Sequence, residues 1–331
     1  MYDSRDNCNA LIETATNTLL CGCNTTVIPN TVTALADYSF FYSGLTSIEI
    51  PESIVSIPEA AFSHCSNLES VSIGSSVTSI DQTAFLYTYL QSITVDSENT
   101  VYDSRDNCNA IMITATNELF LGCETTVIPT TATSIIYPGF AENQGLTSVV
   151  IPGNITKIGA ETFKRCFNVK SVEVENGVVT IEDGAFFANN TLESVILPAS
   201  LNYIGRMAFG MIQTIQYIRC DAVTPPELGD VVFYWTDTNT CVLEVPDESV
   251  EAYKAAAQWG DFINTTGVAK VLRDENSIIV ESGNILNADN ANIEVYTISG
   301  AKIYSGKDSR VTLPSGLYII KSDDKAMKVA L

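Results

Sequence analysis

Histidine is almost missing from this chain: His64 stands alone in 331 residues. Any Ser-His-Asp or Cys-His relay would have to pass through it, and it lies in AFSHC with no nucleophile, base and orienting group arrayed around it. The sequence therefore reads as that of a protein that is not an enzyme. Cations are scarce as well. Seventeen Lys and Arg against 39 Asp and Glu leave a net charge of −22, which opposes attraction to phosphate backbones and anionic lipid, so nucleic acid is not an expected partner. No apolar run approaches the roughly 18 residues that span a bilayer, and no transmembrane segment is expected. Met1 is followed by the polar stretch YDSRDNCNA instead of a basic and then apolar leader, so a signal peptide is expected to be absent or already removed. The nine cysteines lack the paired CxxC spacing of a structural zinc site, and nothing calls for a metal or other cofactor. Their odd number leaves at least one thiol free or paired outside the chain.

What the chain has in abundance is repetition. The stretch LTSVVIPGNITKIGAETFKRC (146–166) fixes apolar residues at Leu146, Val149, Ile151, Ile155, Ile158 and Phe163, and the same unit restarts at Val169, Leu192 and Ile215. Phe140, Phe163, Phe186 and Phe209 keep the same 23-residue step. A period of this length means a solenoid, whose repeats are too small to bury their own apolar faces and must stack. Aligning L-x-x-I-x-I-P gives leading positions at Cys23, Leu45, Leu68, Leu90, Cys123, Leu146, Val169, Leu192, Ile215 and Thr240. This predicts a parallel sheet of about ten strands, roughly 45 Å long at about 4.8 Å per strand.

Within a unit, Leu45, Ile48 and Ile50 should face the core while Thr46, Ser47 and Glu49 face solvent. Proline ends the strand at Pro29, Pro51, Pro129, Pro152, Pro198 and Pro246, where a missing N–H is tolerated. A second short extended piece follows, and AAFSHC (60–65) or ETFKRC (161–166) reads as one outer helical turn that inserts Phe62 or Phe163 into a continuous aromatic spine.

Residues 2–33 recur at 102–133 with 23 of 32 positions identical, so a block of several repeats has been duplicated. The first copy starts in mid-unit, which suggests a chain that begins inside an originally longer solenoid. The unit from Leu90 is 33 residues long, and its alternating AIMIT and ELFLG suggest a hairpin-like insertion projecting from one edge of the stack. CVLEVP (241–246) supplies a last strand. DESVEAYKAAAQWGDF then offers a cap over about 241–265, with Asp247 as helix N-cap, Val250, Tyr253 and Ala257 on one face, and Trp259 and Phe262 as a seal. The solenoid domain thus covers 1–267. A linker near 268–276 leads to a domain at 275–331, a small antiparallel β-sandwich with turns at Ser299-Gly300, Ser315-Gly316 and Asp323-Asp324.

The unit LTSIEIPESIVSIPEAAFSHC (45–65), together with YDSRDNCNA and VPDESVEAYKAAAQW, resembles the BspA-like leucine-rich repeat family of surface proteins in gut and oral Bacteroidetes, over residues 2 to about 265. The tail, EVYTISGAKIYSG with LPSGLYIIK and KVAL, is similar to C-terminal sorting domains of type IX secretion. These resemblances imply export to the cell surface or beyond and a binding or adhesion role toward host proteins, including extracellular matrix.

Cys23 and Cys123 fall in leucine slots, Cys65 and Cys166 follow the core Phe by three, and Cys220 takes the position of Leu197, so all five read as small buried apolar residues. In an oxidising compartment Cys8 with Cys23, or Cys108 with Cys123, are the disulfide candidates. Cys241 falls at a solvent-facing strand position and is the expected accessible thiol. Asp3, Asp6 and Asn7, with their twins Asp103, Asp106 and Asn107, offer oxygen ligands but lack the spacing of a calcium loop, and read better as turns stabilised by Asx hydrogen bonds.

A stacked parallel sheet presents a broad concave face, and binding residues are sought at its outward strand positions. These are Glu49, Glu69, Gln91, Thr94, Val150, Lys170, Glu173, Glu193, Ile196, Tyr217 and Arg219. The set is polar and has no row of aromatics for stacking sugars. Tyr217 and Arg219 would anchor a protein partner, with a glycan ligand or a spacer role as alternatives.

Overall fold

The computed structural model describes residues 1–268, 278–281, 284–287, 292–297, 301–308, 310–313, 317–322 and 325–330. Residues 1–268 form a β-solenoid of about ten turns with parallel strands and little helix. Strands appear at eight of the ten leading positions: Ser47–Ile50, Ser70–Ile73 and Ser92–Val95 make one ladder, and Ser148–Ile151, Ser171–Val174, Ser194–Leu197, Tyr217–Cys220 and Val242–Pro246 make a second. The pairing is parallel and in register at the 23-residue step, as in Ile48 with Val71 and Val71 with Ile93. The expected alternation holds, with Leu45, Ile48 and Ile50 buried. Each proline carbonyl then opens the turn, accepting from Ile54 at Pro51 and from Ile155 at Pro152, both at 3.0 Å.

The spine forms. Phe40, Phe62 and Phe85 stack at centroid spacings of 5.0 and 5.3 Å, and Phe140, Phe163, Phe186 and Phe209 at 5.0, 5.2 and 5.3 Å, planes within 16° of parallel. That spacing matches the inter-strand distance, so one ring per turn fills the interior without a gap. Phe233 continues the second run, and Trp259 and Phe262 close it edge-on at 5.4 and 4.9 Å.

The outer segments are turns, not helix. At each of them the N–H groups alternate between the turn itself and the next repeat: Phe163 donates to Ala185 O at 2.8 Å, Lys164 to Glu161 O at 3.1 Å, and Arg165 to Phe187 O at 2.9 Å. The residue two beyond each spine Phe is left-handed, including Tyr42, His64, Tyr87, Arg165 and Met211, with φ between 55° and 60°. That conformation turns its N–H along the stack, where a helical turn would have kept it within its own repeat.

The insertion does not project. Ala110–Ile113 and Glu118–Gly122 lie inside the stack as a hairpin wall and join, through Ser134–Gly139, a separate sheet made of the short second strands Lys157–Ile158, Thr180–Ile181, Tyr203–Ile204 and Glu227–Leu228. Burial on both sides is the reason. Ile111, Leu121 and Cys123 join the apolar core in front, and Ala110, Met112 and Leu119 the core behind. The same wall explains why Cys23 and Cys123 lead no strand. The Cys123 N–H is taken by Thr126 Oγ1 at 2.8 Å, that hydroxyl donates to Asn109 O at 2.7 Å, and Val127 N–H goes to Cys108 O at 3.0 Å; the first copy repeats the set with Thr26, Asn9 and Cys8. The backbone is bound to its hairpin, so it cannot also pair as a strand.

The cap differs from expectation in three details. Asp247 to Ser249 form a 3₁₀ turn, so Ser249 stands at the start of helix Val250–Ala255 in place of Asp247 and sends its hydroxyl to Val223 O at 2.6 Å. The helix ends before Ala257, which is exposed, and Ala256 packs instead. Beyond Phe262, Asn264–Val268 adds one more parallel strand to Val242–Pro246. Tyr253, Trp259 and Phe262 are buried as expected.

Among the described residues between 278 and 330 seven antiparallel strands follow, in sheets of three and four, and Ile285 and Val311 of one share a core with Ile293, Val295 and Ile320 of the other. The expected linker, from 269 on, and the three turn signals lie outside the described residues.

Each spine run starts on a wall glycine. A Cβ on Gly22 would sit 2.0 Å from the Phe40 ring and one on Gly122 2.3 Å from Phe140. Gly122→Ala should therefore cost about 1–3 kcal/mol by overpacking, read as a lowered urea midpoint. A midpoint equal to wild type would mean that the ring does not need the space.

Candidate binding surfaces

The outward strand positions fall into two rows. In the second ladder one row runs Ser148, Ser171, Ser194, Tyr217, Val242, and the other runs Val150, Glu173, Ile196, Arg219, Glu244. In the first, Glu49 and Thr94 flank Ser72. Glu49, Glu69, Gln91, Thr94, Val150, Lys170, Glu173 and Glu193 are exposed, whereas Ile196, Tyr217 and Arg219 are half-buried. The expected anchors are engaged internally. Tyr217 donates its hydroxyl to the buried Glu244 carboxylate, and Arg219 Nε bonds Asp221 at 2.6 Å. Burial first, then the Glu244 carboxylate, drives the Tyr217 hydroxyl far above its ordinary value. Sequence spacing put Glu49, Thr94, Val150, Glu173, Ile196, Tyr217 and Arg219 on the strands, with Glu69, Gln91, Lys170 and Glu193 one residue before them, but could not show which side chains were already spoken for.

A second surface was not foreseen. Along the outer turns, Tyr42, His64 and Tyr87 follow one another as tilted rings at 4.6 and 4.2 Å, and Phe41 meets Tyr42 and His64 at 4.7 and 5.1 Å. Tyr38 packs edge-on against Phe41 at 5.4 Å and donates its hydroxyl to Glu59. His64 is thus a ring in an aromatic row, held through Nδ1 to Ser63 Oγ at 2.9 Å. The signal was present in the sequence, since Tyr42, His64 and Tyr87 each stand two residues after a spine Phe, but helical turns gave no reason to align them. The row continues into Glu142 and Arg165. Tyr87 O–H donates to Glu142 Oε1 at 3.1 Å and Arg165 reaches the same oxygen at 3.5 Å, while the other carboxylate oxygen is buried without a partner among the described residues.

No group of three or more His, Cys, Asp or Glu among the described residues could hold a metal ion. Asp103 is instead bound by Arg105 at 2.5 and 2.7 Å and by Thr114 at 3.0 Å, as Asp3 is by Arg5, and Arg105 N–H closes an Asx-type bond to Asp103 at 3.1 Å. All nine cysteines are thiols, neither candidate pair being bridged. Cys65, Cys123, Cys166 and Cys220 are buried, and burial pushes the Cys166 thiol up to about 12. Two assignments reverse. Cys241 is buried, its thiol raised to about 12, because Thr240 is held out by Asp237 at 2.7 Å and Cys241 takes the leading slot ahead of Leu243 and Val245. Cys23 is exposed, and hydrogen bonds from Thr25 and Thr26 lower its pKa.

The repeat geometry has a family counterpart. Residues 15–112 and 113–240 match the model of the BspA type leucine-rich repeat region in six copies, more than half of the chain. The chain belongs to that family. Among solved structures, its BspA-type solenoid resembles the pneumococcal vaccine antigen PcpA, with 16% identity, a TM-score of 0.51, and coverage of 73% of this chain and 72% of that one. A leucine-rich repeat protein from Eubacterium ventriosum shares 20% identity at a TM-score of 0.42, covering 73% and 59%. A leucine-rich cell surface protein from Faecalibacterium prausnitzii shares 18% at 0.32, covering 86% and 98%. Among curated proteins none matches the BspA-type chain. No helix among the described residues is long and apolar enough to cross a membrane.

Two outcomes follow from these groups. Burial raises the Glu142 pKa against the opposing pull of Tyr87 and Arg165, so the folded state holds this proton more tightly than the unfolded chain. Its contribution is fully present below the unfolded value, near 4.5, and is lost as pH rises through the higher folded value. In paired urea titrations, wild type should lose stability relative to Glu142→Gln across that window. A constant difference would place the carboxyl in water. Separately, brief alkylation of the native protein should modify Cys21 and Cys23 and spare Cys166, Cys220 and Cys241 until it unfolds.

Proposed function

We propose that this BspA-type protein is an exported, surface-associated module that binds protein ligands, including host matrix proteins, and performs no catalysis. The observation that carries this reading is the row on the outer turns, where Tyr42 is 69%, Tyr38 50% and Phe41 39% exposed on a chain of otherwise acidic surface. Grouped exposed aromatics are costly to leave in water, and tyrosine anchors interfaces. The polar strand face, with Glu49, Glu69, Gln91, Thr94, Lys170, Glu173, Glu193, Ile196, Tyr217 and Arg219, is the companion surface and supplies charge more than anchoring. The β-sandwich at 275–331 fits an export-sorting role through its resemblance to type IX sorting domains.

The same row supports a second reading. Exposed aromatic rings beside the Glu59 carboxylate suit the apolar face and hydroxyls of a sugar, so a glycan ligand competes with a protein one. Immobilised protein should retain a matrix protein or mucin, and Tyr38→Ala with Tyr42→Ala should weaken retention at least about tenfold, as loss of an aromatic anchor does. Reversal of Glu173 and Arg219 should have a smaller, salt-dependent effect. Selective capture on a glycan array without a protein ligand would favour the sugar, and no ligand in either format would leave a spacer.

A further inference from the structure

The chain has two tryptophans, and they meet opposite fates. Trp259 is wholly buried in the cap, whereas Trp235 is 64% exposed. Trp235 stands two residues after Phe233, in the outer-turn slot that Met211 and Ala188 fill one and two turns earlier, and shares their left-handed backbone (φ 54°). The turn is fixed by Tyr234 N–H to Val231 O at 3.1 Å and Thr236 N–H to Phe233 O at 3.0 Å. The Tyr234 ring, itself exposed, lies 5.7 Å from the indole with the two planes 12° apart. Two nearly parallel aromatic rings are thus held in water on a rigid turn, an arrangement that marks a contact surface.

The loop that follows is long. Phe163, Phe186 and Phe209 stand six residues before the leading residue of the next strand, and Phe233 stands eight before Cys241. The lengthened loop borders a hollow of about 560 Å³ lined by Gln213, Trp235, Thr236 and Asp237. Thr236 is pinned to the preceding turn, its hydroxyl donating to Phe209 O at 2.6 Å and accepting Ile212 N–H at 3.2 Å. Asp237 is engaged as well. It accepts Asn239 N–H at 3.0 Å, Thr240 N–H at 3.3 Å and the Thr240 hydroxyl at 2.7 Å, and these bonds, the hydroxyl first, hold its carboxyl below the ordinary value. Gln213 is exposed, and its side-chain amide bonds no other group among the described residues.

The lining selects among ligands. No Lys or Arg borders the hollow and the chain carries −22, so an anion finds nothing to pair with. The one carboxylate already receives three donors and does not call for a cation. What stays uncommitted is a neutral amide beside a flat ring. A primary amide donates and accepts at once, as a hydroxyl does, and the indole offers an apolar face. A neutral sugar ring answers both, with hydroxyls around its edge and C–H groups on its face.

We propose that Trp235 and Gln213 form a subsite for one unit of a neutral saccharide, its C–H face laid on the indole and its hydroxyls bonded to the Gln213 amide, with Asp237 as a further acceptor. The subsite lies several turns from the row that runs from Tyr38 to Tyr87, and it stands whether or not that row takes a protein.

Because Trp259 is buried, acrylamide quenching of the full chain's fluorescence reports on Trp235. Cellotriose, maltotriose, chitotriose and N-acetyllactosamine serve as neutral probes, with sialyllactose and tetramethylammonium as charged controls. At least one neutral probe should protect Trp235 saturably, and Gln213→Ala should weaken that binding roughly fivefold, the loss of about one neutral hydrogen bond. Trp235→Ala, followed by calorimetry, should abolish it. The Tyr38→Ala, Tyr42→Ala variant should bind the same probe unchanged, which separates this subsite from the row. No protection by any neutral probe, equal affinity in Gln213→Ala, or preference for either charged control would overturn the proposal. Loss of binding in the Tyr38 and Tyr42 variant would place the sugar on the row and overturn it too.

Discussion

Each turn of this protein gives its backbone hydrogen bonds to the next turn, and almost everything else follows from keeping those bonds in register. Main-chain groups buried between repeats have no other partners, so the repeat must return to the same phase after every 23 residues. The phenylalanine spine obeys the same spacing. A ring about 5 Å above its neighbour fills a layer whose height the strand ladder has already set. Packing and hydrogen bonding thus demand one common rise, and neither could be altered alone.

The hairpin walls show what happens where register is interrupted. Wall backbone cannot continue the main ladder, so side chains complete it, Asn109 and Thr125 serving the strand in front. Behind, Gly122 gives up its side chain so that the Phe140 ring can start a new spine. The wall is a junction with a strand-like front and a ring-sized recess at the back. Duplicating it duplicated both surfaces, and the second copy holds Ser92–Val95 against its front.

Much of the architecture was legible because it is periodic. Leucine and phenylalanine positions located the strands, spine and cap, and the identity of 2–33 with 102–133 exposed the duplication. What escaped was whatever depends on where a hydrogen bond goes. Cys23 and Cys123 looked like leucine substitutes in strands, yet their neighbours are bound to the hairpin; Cys241 looked outward-facing, yet the Asp237 to Thr240 contact shifted it inward. Tyr217 and Arg219 were correctly placed on the sheet face, while their carboxylate partners, at 244 and 221, were invisible to spacing. The aromatic row was hidden for a related reason: its alignment rests on left-handed backbone, a feature that non-glycine residues do not advertise.

That left-handed backbone has a consequence for variation. From Tyr42 through His64, Tyr87, Glu142, Arg165, Ala188 and Met211 to Trp235, the same conformation at eight positions carries seven kinds of side chain, none of them β-branched. The peptide geometry disfavours branching at Cβ and asks for little else. A lineage could therefore rewrite size, charge and aromaticity along this edge, one turn at a time, while the scaffold beneath stayed constant, which makes it a register of exchangeable characters more than a fixed surface.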